Sequence, residues 1–438
     1  MRKKPITLSV LGLSLAVAMT GCGGDAGQTK DAGNTAQPQA QTPAANKVKV
    51  SIASWRSEQT EVELYKKIQA ELNKTSPEIE IDFKPVKSTE YNTSLNVALK
   101  TDTAADIIQL RPYAGATALA DAGYLEPIDG LKGLENFSKD QLIAAQGSDK
   151  KQYGVPYMLS STQVLYNKKI FAKYNIQEPK TWDELIKAAE TLKQNKVTPF
   201  AFGSKEGWVL SLMHGAIAPQ FYGLDFVDKF LKGEAKIDSP EFLKSVEALN
   251  SLAPYFPANF EGLGMEDVRT MFATEQTAMV IDGHFEIASI LALNPKLELD
   301  AFPVPPVDAS GKPTVSTWVD GSFGINKNSK NKEAAKKVLE FMTTKAYGTL
   351  IVNNTKSPSP LAGVTTDDPV INKIAKLSTT NATPYFAVTY LNSGNPTGKV
   401  TFEGLLQGMF LKKTTPKQVV EELQKNVDTW FKPAAAGK

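Results

Sequence analysis

The chain has 438 residues, 42% of them hydrophobic, 22% charged and 9% aromatic, which is enough for two or three domains with real cores. Lys and Arg number 49 against 47 Asp and Glu, a net charge of +2 that implies no broad basic surface for nucleic acid. Two histidines, His214 and His284, and one cysteine, Cys22, exclude His/Cys zinc sites, disulfides and Cys–His nucleophile pairs. Carboxylate chemistry, hydroxyl and amide hydrogen bonding, and aromatic stacking remain.

Arg2, Lys3 and Lys4 precede an apolar run from Ile6 to Met19 that is too short to span a bilayer comfortably. This is the pattern of a secretory signal over residues 1–21. It ends in Met19-Thr20-Gly21-Cys22, which resembles the lipobox of bacterial lipoproteins, with Met where Leu is usual. The resemblance implies cleavage before Cys22 and diacylation of its thiol; two acyl chains hold firmly where one binds marginally. An ordinary signal peptide with a chance Cys is the bland alternative. Residues 22–46 are Gly, Ala, Gln, Thr, Asn and Pro with little apolar bulk, so a flexible tether is predicted.

The alternation of Val48, Val50 and Ile52 with Lys and Ser predicts a strand with one buried face. A helix follows over 60–74, with Leu64, Tyr65, Ile68 and Leu72 at helical spacing. Ile79, Ile81 and Phe83 predict a second strand, residues 89–100 a helix, and Asp106–Leu110 a buried strand before an Ala-rich helix ending near Gly123. The β-α-β-α-β order predicts an α/β fold, a parallel-type sheet covered by helices on both faces. Capping boxes at Ser138-x-x-Gln141, Thr181-x-x-Glu184 and Thr415-x-x-Gln418 mark later helix starts. Further strands are predicted at Pro199–Phe202, Ala278–Asp282, Leu299–Val304 and Ser322–Ile325. No linker interrupts the chain after Asn46, so two lobes joined by several crossings fit better than separate domains.

Several segments carry a family resemblance by their order. They are Asp106-Ile107-Ile108, Asp121-Ala122-Gly123-Tyr124-Leu125-Glu126-Pro127, Tyr153-Gly154-Val155-Pro156-Tyr157 and Leu165-Tyr166-Asn167-Lys168. Then come Pro179-Lys180-Thr181-Trp182-Asp183-Glu184-Leu185, Phe272-Ala273-x-x-Gln276-x-Ala278-Met279 before Gly283, and Ser329-Lys330-Asn331-Lys332-Glu333-Ala334-Ala335. From about Lys47 to Lys432 the chain resembles family 1 extracellular solute-binding proteins, the sugar receptors of ABC importers. The resemblance implies a two-lobed, type II periplasmic-binding-protein fold with a hinge of crossing segments and a ligand cleft between lobes. It implies an N-terminal lobe of 47–155 plus 288–343 and a C-terminal lobe of 156–287 plus 344–438. It further implies a monomer that hands its sugar to membrane permease subunits.

Saccharides present apolar C–H faces and hydroxyl edges, so a receptor uses flat rings and planar hydrogen-bonding groups in an interdomain cleft. Trp182 opens a capped helix and Trp430 lies on a stripe with Val420, Leu423 and Val427; both read as packing residues. Trp55, with Arg56 and Glu58, sits just past the first strand, where ligand crevices lie in open α/β sheets. A helix N-terminal ion pair is the alternative there. Arg111 and Tyr113 follow the Asp106–Leu110 strand, where the family places ligand residues; a solvated charge is the alternative for Arg111. Tyr157 and Ser160 follow the Gly-Val-Pro turn, and the family often has a carboxylate at the position matching Ser160. Trp208 follows the 199–202 strand and matches an aromatic platform region.

Asp282, His284 and Phe285 end the 278–282 strand, with Phe285 where the family commonly stacks a Trp; His284 reads equally as a turn residue. Trp318 and Asp320 precede Gly321-Ser322-Phe323-Gly324, where small residues allow backbone close to a ligand. Tyr385 and Tyr390 are weaker candidates.

No cofactor is predicted: there is no calcium loop, P-loop or Rossmann fingerprint, so the ATPase of an importer would be a separate chain. The leading expectation is an oligosaccharide receptor, not an enzyme. The alternatives are a surface hydrolase or lyase drawing paired carboxylates from Glu58, Asp282 and Asp320, and a receptor for a non-sugar solute.

Overall fold

The computed structural model describes residues 47–380 and 382–433. The expected signal over 1–21, the lipidation site Cys22 and the tether over 22–46 lie outside the described residues. In chain order the strands are β1 (Val48–Ser54), β2 (Ile79–Pro85), β3 (Ile107–Leu110), β4 (Leu125–Glu126), β5 (Val155–Pro156) and β6 (Leu159–Asn167). They continue with β7 (Thr198–Phe200), β8 (Thr277–Gly283), β9 (Leu299–Phe302), β10 (Val315–Val319), β11 (Ser322–Asn326) and β12 (Ala382–Pro384).

The first lobe is built on a sheet of order β2-β1-β3-β11-β4, with β5 on β11. The pairings β1–β2 and β1–β3 are parallel, whereas β11 runs antiparallel to β3. The sheet is therefore mixed rather than wholly parallel, because β11 arrives from far down the chain. Alternation along β3 divides its residues between faces. Ile107 joins Val50, Ile52, Leu64, Ile68, Val338 and Leu339 in one core, while Ile108 and Leu110 join Leu99, Ala116 and Ala120 in another. Helices thus cover both faces, as a strand buried on both sides requires.

The second sheet has the order β12-β10-β6-β8-β7, with β9 on β6. Its core is rich in phenylalanine: Phe226, Phe230, Phe242, Phe386 and Phe402 pack there on Met213, Ile217 and Leu406. Trp182 lies in this core, edge-on to Phe221, and Trp430 packs at its rim against Phe431 and behind Gly394; neither ring lines a cavity itself. Strands β6 and β10 carry no apolar alternation that announces them, since after Leu159 β6 runs through Ser160, Ser161, Thr162 and Gln163, all buried. Ser138 and Thr415 form full capping boxes. At Thr181 only half the box forms: its hydroxyl accepts from Glu184 N, but the Glu184 carboxylate takes the Lys180 N–H at 2.7 Å.

The lobes are joined where β5 runs through Tyr157 and Met158 into β6, and where β10 runs through Asp320 and Gly321 into β11. These passages are antiparallel neighbours: Tyr157 N donates to Gly321 O (2.9 Å) and Asp320 N to Met158 O (2.8 Å). Pairing continues on either side, Trp318 facing Ser160 in one lobe and Ser322 facing Pro156 in the other. A two-stranded ribbon therefore runs through both lobes.

Sheet membership corrects the expected lobe boundaries. Strands β9 and β10, expected in the first lobe within 288–343, flank β6 and complete the second sheet. Tyr347, Ile351 and Leu361, expected in the second lobe beyond 344, pack in the first core with Leu64 and Ile68. The chain returns to the second core by Ile371.

Candidate functional site

Loops at the ends of β1, β3 and β8, a helix after β7 and the β10–β11 passage converge on a cleft of about 1000 Å³ between the lobes. Trp55, Arg56, Glu58 and Arg111 line it from the first lobe, Trp208 and Phe285 from the second, and Trp318 and Asp320 from the crossing ribbon. These expected residues are brought together. Sheet ends are where an α/β architecture leaves side chains free of sheet packing.

The rings form a row. Trp208 lies 6.4 Å from Phe285, Phe285 lies 6.3 Å from Trp318 at 77°, and Trp318 lies 4.9 Å from Tyr385. The Tyr385 hydroxyl meets Ser211 Oγ at 2.8 Å, and Ser211 Oγ donates to Glu403 at 2.7 Å. Trp55 faces elsewhere: its ring stands edge-on to Tyr91 and carries the Arg111 guanidinium 4.1 Å above it.

The charged groups are largely paired with one another. Arg56 pairs with Asp320 and lies 5.1 Å from the Phe285 centroid. Burial opposes the Arg56 charge, but Asp320, Glu58 and Glu61 outweigh it and raise the pKa. Asp320 also accepts from Ser160 Oγ at 3.2 Å. Glu58 accepts from Arg269 across the lobes at 3.2 Å, and Arg269 is held in its own lobe by Glu286 and by Glu266 (2.7 Å). Arg111 donates to Asn92 at 3.3 Å and to Ser88 O at 2.9 Å.

Other expected residues lie apart. Tyr157 is not in the cleft: it is fully buried in the first core, and its hydroxyl donates to Glu61 at 2.9 Å, because the ribbon turns its ring inward. Asp282 points into the second lobe's interior beside Gln163 and accepts from Gly283 N at 2.6 Å; burial and Glu286 hold its pKa well up. His284 is fully enclosed, its Nδ1 3.2 Å from both N and O of Ser161, and burial lowers its pKa to about 4. Tyr113 and Ser160 line a second cavity of about 890 Å³, which Trp318 borders together with the cleft, while Ser160 Oγ reaches the cleft only through Asp320. In that second cavity the Tyr113 hydroxyl accepts from Val319 N at 3.4 Å.

Sequence reasoning missed Arg269, Glu286, Lys399 and Glu403. Arg269 shares a helix with Met265, Val268 and Phe272, and its spacing, i+4 from Met265 and i−3 from Phe272, puts it on their buried face, a signal that was available in the sequence. Lys399 and Glu403, at i and i+4, read as a surface pair yet are largely covered. Among the described residues, no group of three or more His, Cys, Asp or Glu side chains is placed to hold a metal ion.

Glu61 lies behind the cleft, against the hinge residue Tyr157. Burial lifts its carboxyl to about 7, opposed by Arg56 and the Tyr157 hydroxyl. The folded chain therefore holds this proton more tightly than the unfolded chain, where the ordinary value is 4.5. That contribution is complete below about pH 4.5 and is lost as pH rises through about 7. Glu61→Gln removes the proton while keeping a partner for Tyr157. Between pH 4.5 and 8 the variant is expected to gain on the order of 1–3 kcal/mol relative to wild type in urea unfolding. A difference that stays constant across this range overturns the reading.

Residues 57–349 match the family model for bacterial extracellular solute-binding proteins. The multiple sugar-binding protein of Streptococcus mutans is 26% identical over 327 residues, 73% of this chain and 77% of its own length. Among solved structures, a chitin oligosaccharide binding protein superposes with a TM-score of 0.77 at 25% identity, covering 88% of this chain and 99% of that one. A structure described under xylan utilization by the thermophilic bacterium Caldanaerobius polysaccharolyticus gives a TM-score of 0.78 at 22% identity, covering 87% and 100%. The two sheets, the crossing ribbon and these superpositions identify the fold as the two-lobed type II arrangement, and the chain belongs to the bacterial extracellular solute-binding protein family.

Proposed function

We propose that this protein is the extracytoplasmic receptor of an ABC importer, binding an oligosaccharide between its lobes and delivering it to permease subunits with a separate ATPase. The observation that carries this reading is the row Trp208–Phe285–Trp318–Tyr385 beside Arg, Asp and Glu side chains in one interlobe cleft. Rings take the C–H faces of a sugar, and charged planar groups take its hydroxyls. The printed names of the relatives, a multiple sugar-binding protein and a chitin oligosaccharide binding protein, support the ligand class. The acids considered for a hydrolase are occupied: Glu58 by Arg269, Asp320 by Arg56, and Asp282 by its place outside the cleft. This favours binding over cleavage.

The mechanism is hinge closure. A ligand touching Phe285 in one lobe and the Trp55–Arg111 loops in the other stabilises the closed form, which docks on the permease. The test is a thermal-shift screen over di- to pentasaccharides, followed by recovery of the sugar. A ligand at a hundred times its Kd adds about 2.7 kcal/mol. The expected result is stabilisation by a saccharide that is returned intact; stabilisation only by a non-sugar solute, or a cleaved sugar, overturns the proposal.

The reading includes a monomer held at the membrane by diacylated Cys22 alone. Among the described residues no helix is long and apolar enough to cross a membrane. Cys22→Ala is expected to release folded protein into the soluble extracytoplasmic fraction, followed by fractionation and immunoblotting. Retention with the membrane counts against the anchor.

A further inference from the structure

We infer that the ligand of the interlobe cleft is an acidic saccharide, carrying a carboxylate that pairs with Arg111; this rests on the sugar-receptor reading above. The inference starts from the charges of the cleft. Arg56 has Asp320, Arg269 has Glu58, Glu266 and Glu286, and Lys399 has Glu403. Arg111 differs. Among the described residues its partners are neutral: Asn92 Oδ1, Ser88 O and Ser88 Oγ.

These bonds use Nε and Nη2, so Nη1 keeps its donors, and the side chain lines the cleft. One face of the guanidinium is covered by Trp55 and its flank by Tyr91, 5.9 Å away, which strips water from the cation and fixes its plane. Burial lowers its pKa to about 10, so it stays charged at neutral pH. A partly desolvated cation with no acid in hydrogen-bond contact gains from an anion brought by the ligand. Its position past β3 puts that anion at the first-lobe wall of the cleft. One cation with no acid bonded to it, and with Asp320 and Glu403 acting on it only from farther off, matches a single carboxylate better than a phosphate monoester, which carries about −1.5 to −2.

The test is calorimetric titration of the full chain with matched pairs on xylo-, gluco- and galacto-oligosaccharide backbones, neutral or ending in a uronate, plus the corresponding sugar phosphates. The expected result is a uronate bound about tenfold or more tightly than its neutral partner, as one charge-assisted contact provides. Arg111→Gln should abolish that preference, so that a uronate and its neutral partner bind within about threefold of each other. Arg111→Lys, which keeps the charge, should retain part of it, separating lost charge from misfolding.

Neutral sugars bound as tightly as uronates overturn the inference and leave the receptor reading standing. So does a phosphate preferred to the uronate, or a preference unchanged in Arg111→Gln. Failure of every saccharide to bind overturns both.

Discussion

Replacing Arg269 with Met is expected to cost about 3–5 kcal/mol of unfolding free energy, the ordinary penalty for breaking a buried ion pair from one side. Arg269 is 7% exposed and Glu286 only 2%, so the variant strands a buried carboxylate in the second lobe that has lost its bonded cation. The partners of Arg269 are not equivalent. Glu266 is mostly exposed, so its pairing with Arg269 contributes little, whereas Glu286 is enclosed. The double variant Arg269→Met, Glu286→Gln should therefore recover more than half of the loss, because the orphaned charge is gone. Glu58→Gln removes only the contact across the lobes and should change stability by less than about 1 kcal/mol. Urea unfolding of the set decides the matter. No recovery in the double variant means that the arginine acts through packing instead.

Trp318→Ala is the second large effect, and it has two parts. The ring is 6% exposed and leans on Tyr385, so truncation is expected to cost about 3–5 kcal/mol of stability. It also removes the middle of the aromatic row and should weaken saccharide binding by about tenfold or more. Phe285→Ala separates the two, since Phe285 is only partly buried and lies beneath Arg56. It should lose affinity with a smaller change in stability. Trp430→Ala, on the rim of the second core, should lower melting temperature and leave affinity nearly intact. Calorimetric titration alongside thermal melting tests all three. Wild-type affinity in both Trp318→Ala and Phe285→Ala would remove the rings from the site.

Much of this was legible in the residues. The period-two pattern of β1 and β2, the helical stripe of Leu64, Ile68 and Leu72, and two of three capping boxes formed where local chemistry placed them. Such features depend on neighbours in sequence. The end of β1 was legible too and pointed to Trp55; Arg111 and Phe285 were pointed to by strand ends together with the family resemblance, and Trp318 by the small residues that follow Asp320.

What sequence could not decide involves partners far apart in the chain. Polar β6 becomes a central strand because β10, β8 and β9 bury it, and nothing within Ser160–Gln163 announces those neighbours. Tyr157 and His284 carry the right chemistry for a sugar site, yet the ribbon and strand β8 turn both inward. Spacing puts Arg269 on the apolar face of its helix, but nothing local names the acids that close around it, Glu286, 17 residues on, and Glu58, 211 residues away. Composition determined that the site would use rings, carboxylates and guanidinia. Only tertiary packing decided which of those charges meet one another and which one, Arg111, is left with neutral partners, because ion pairing depends on distance in space.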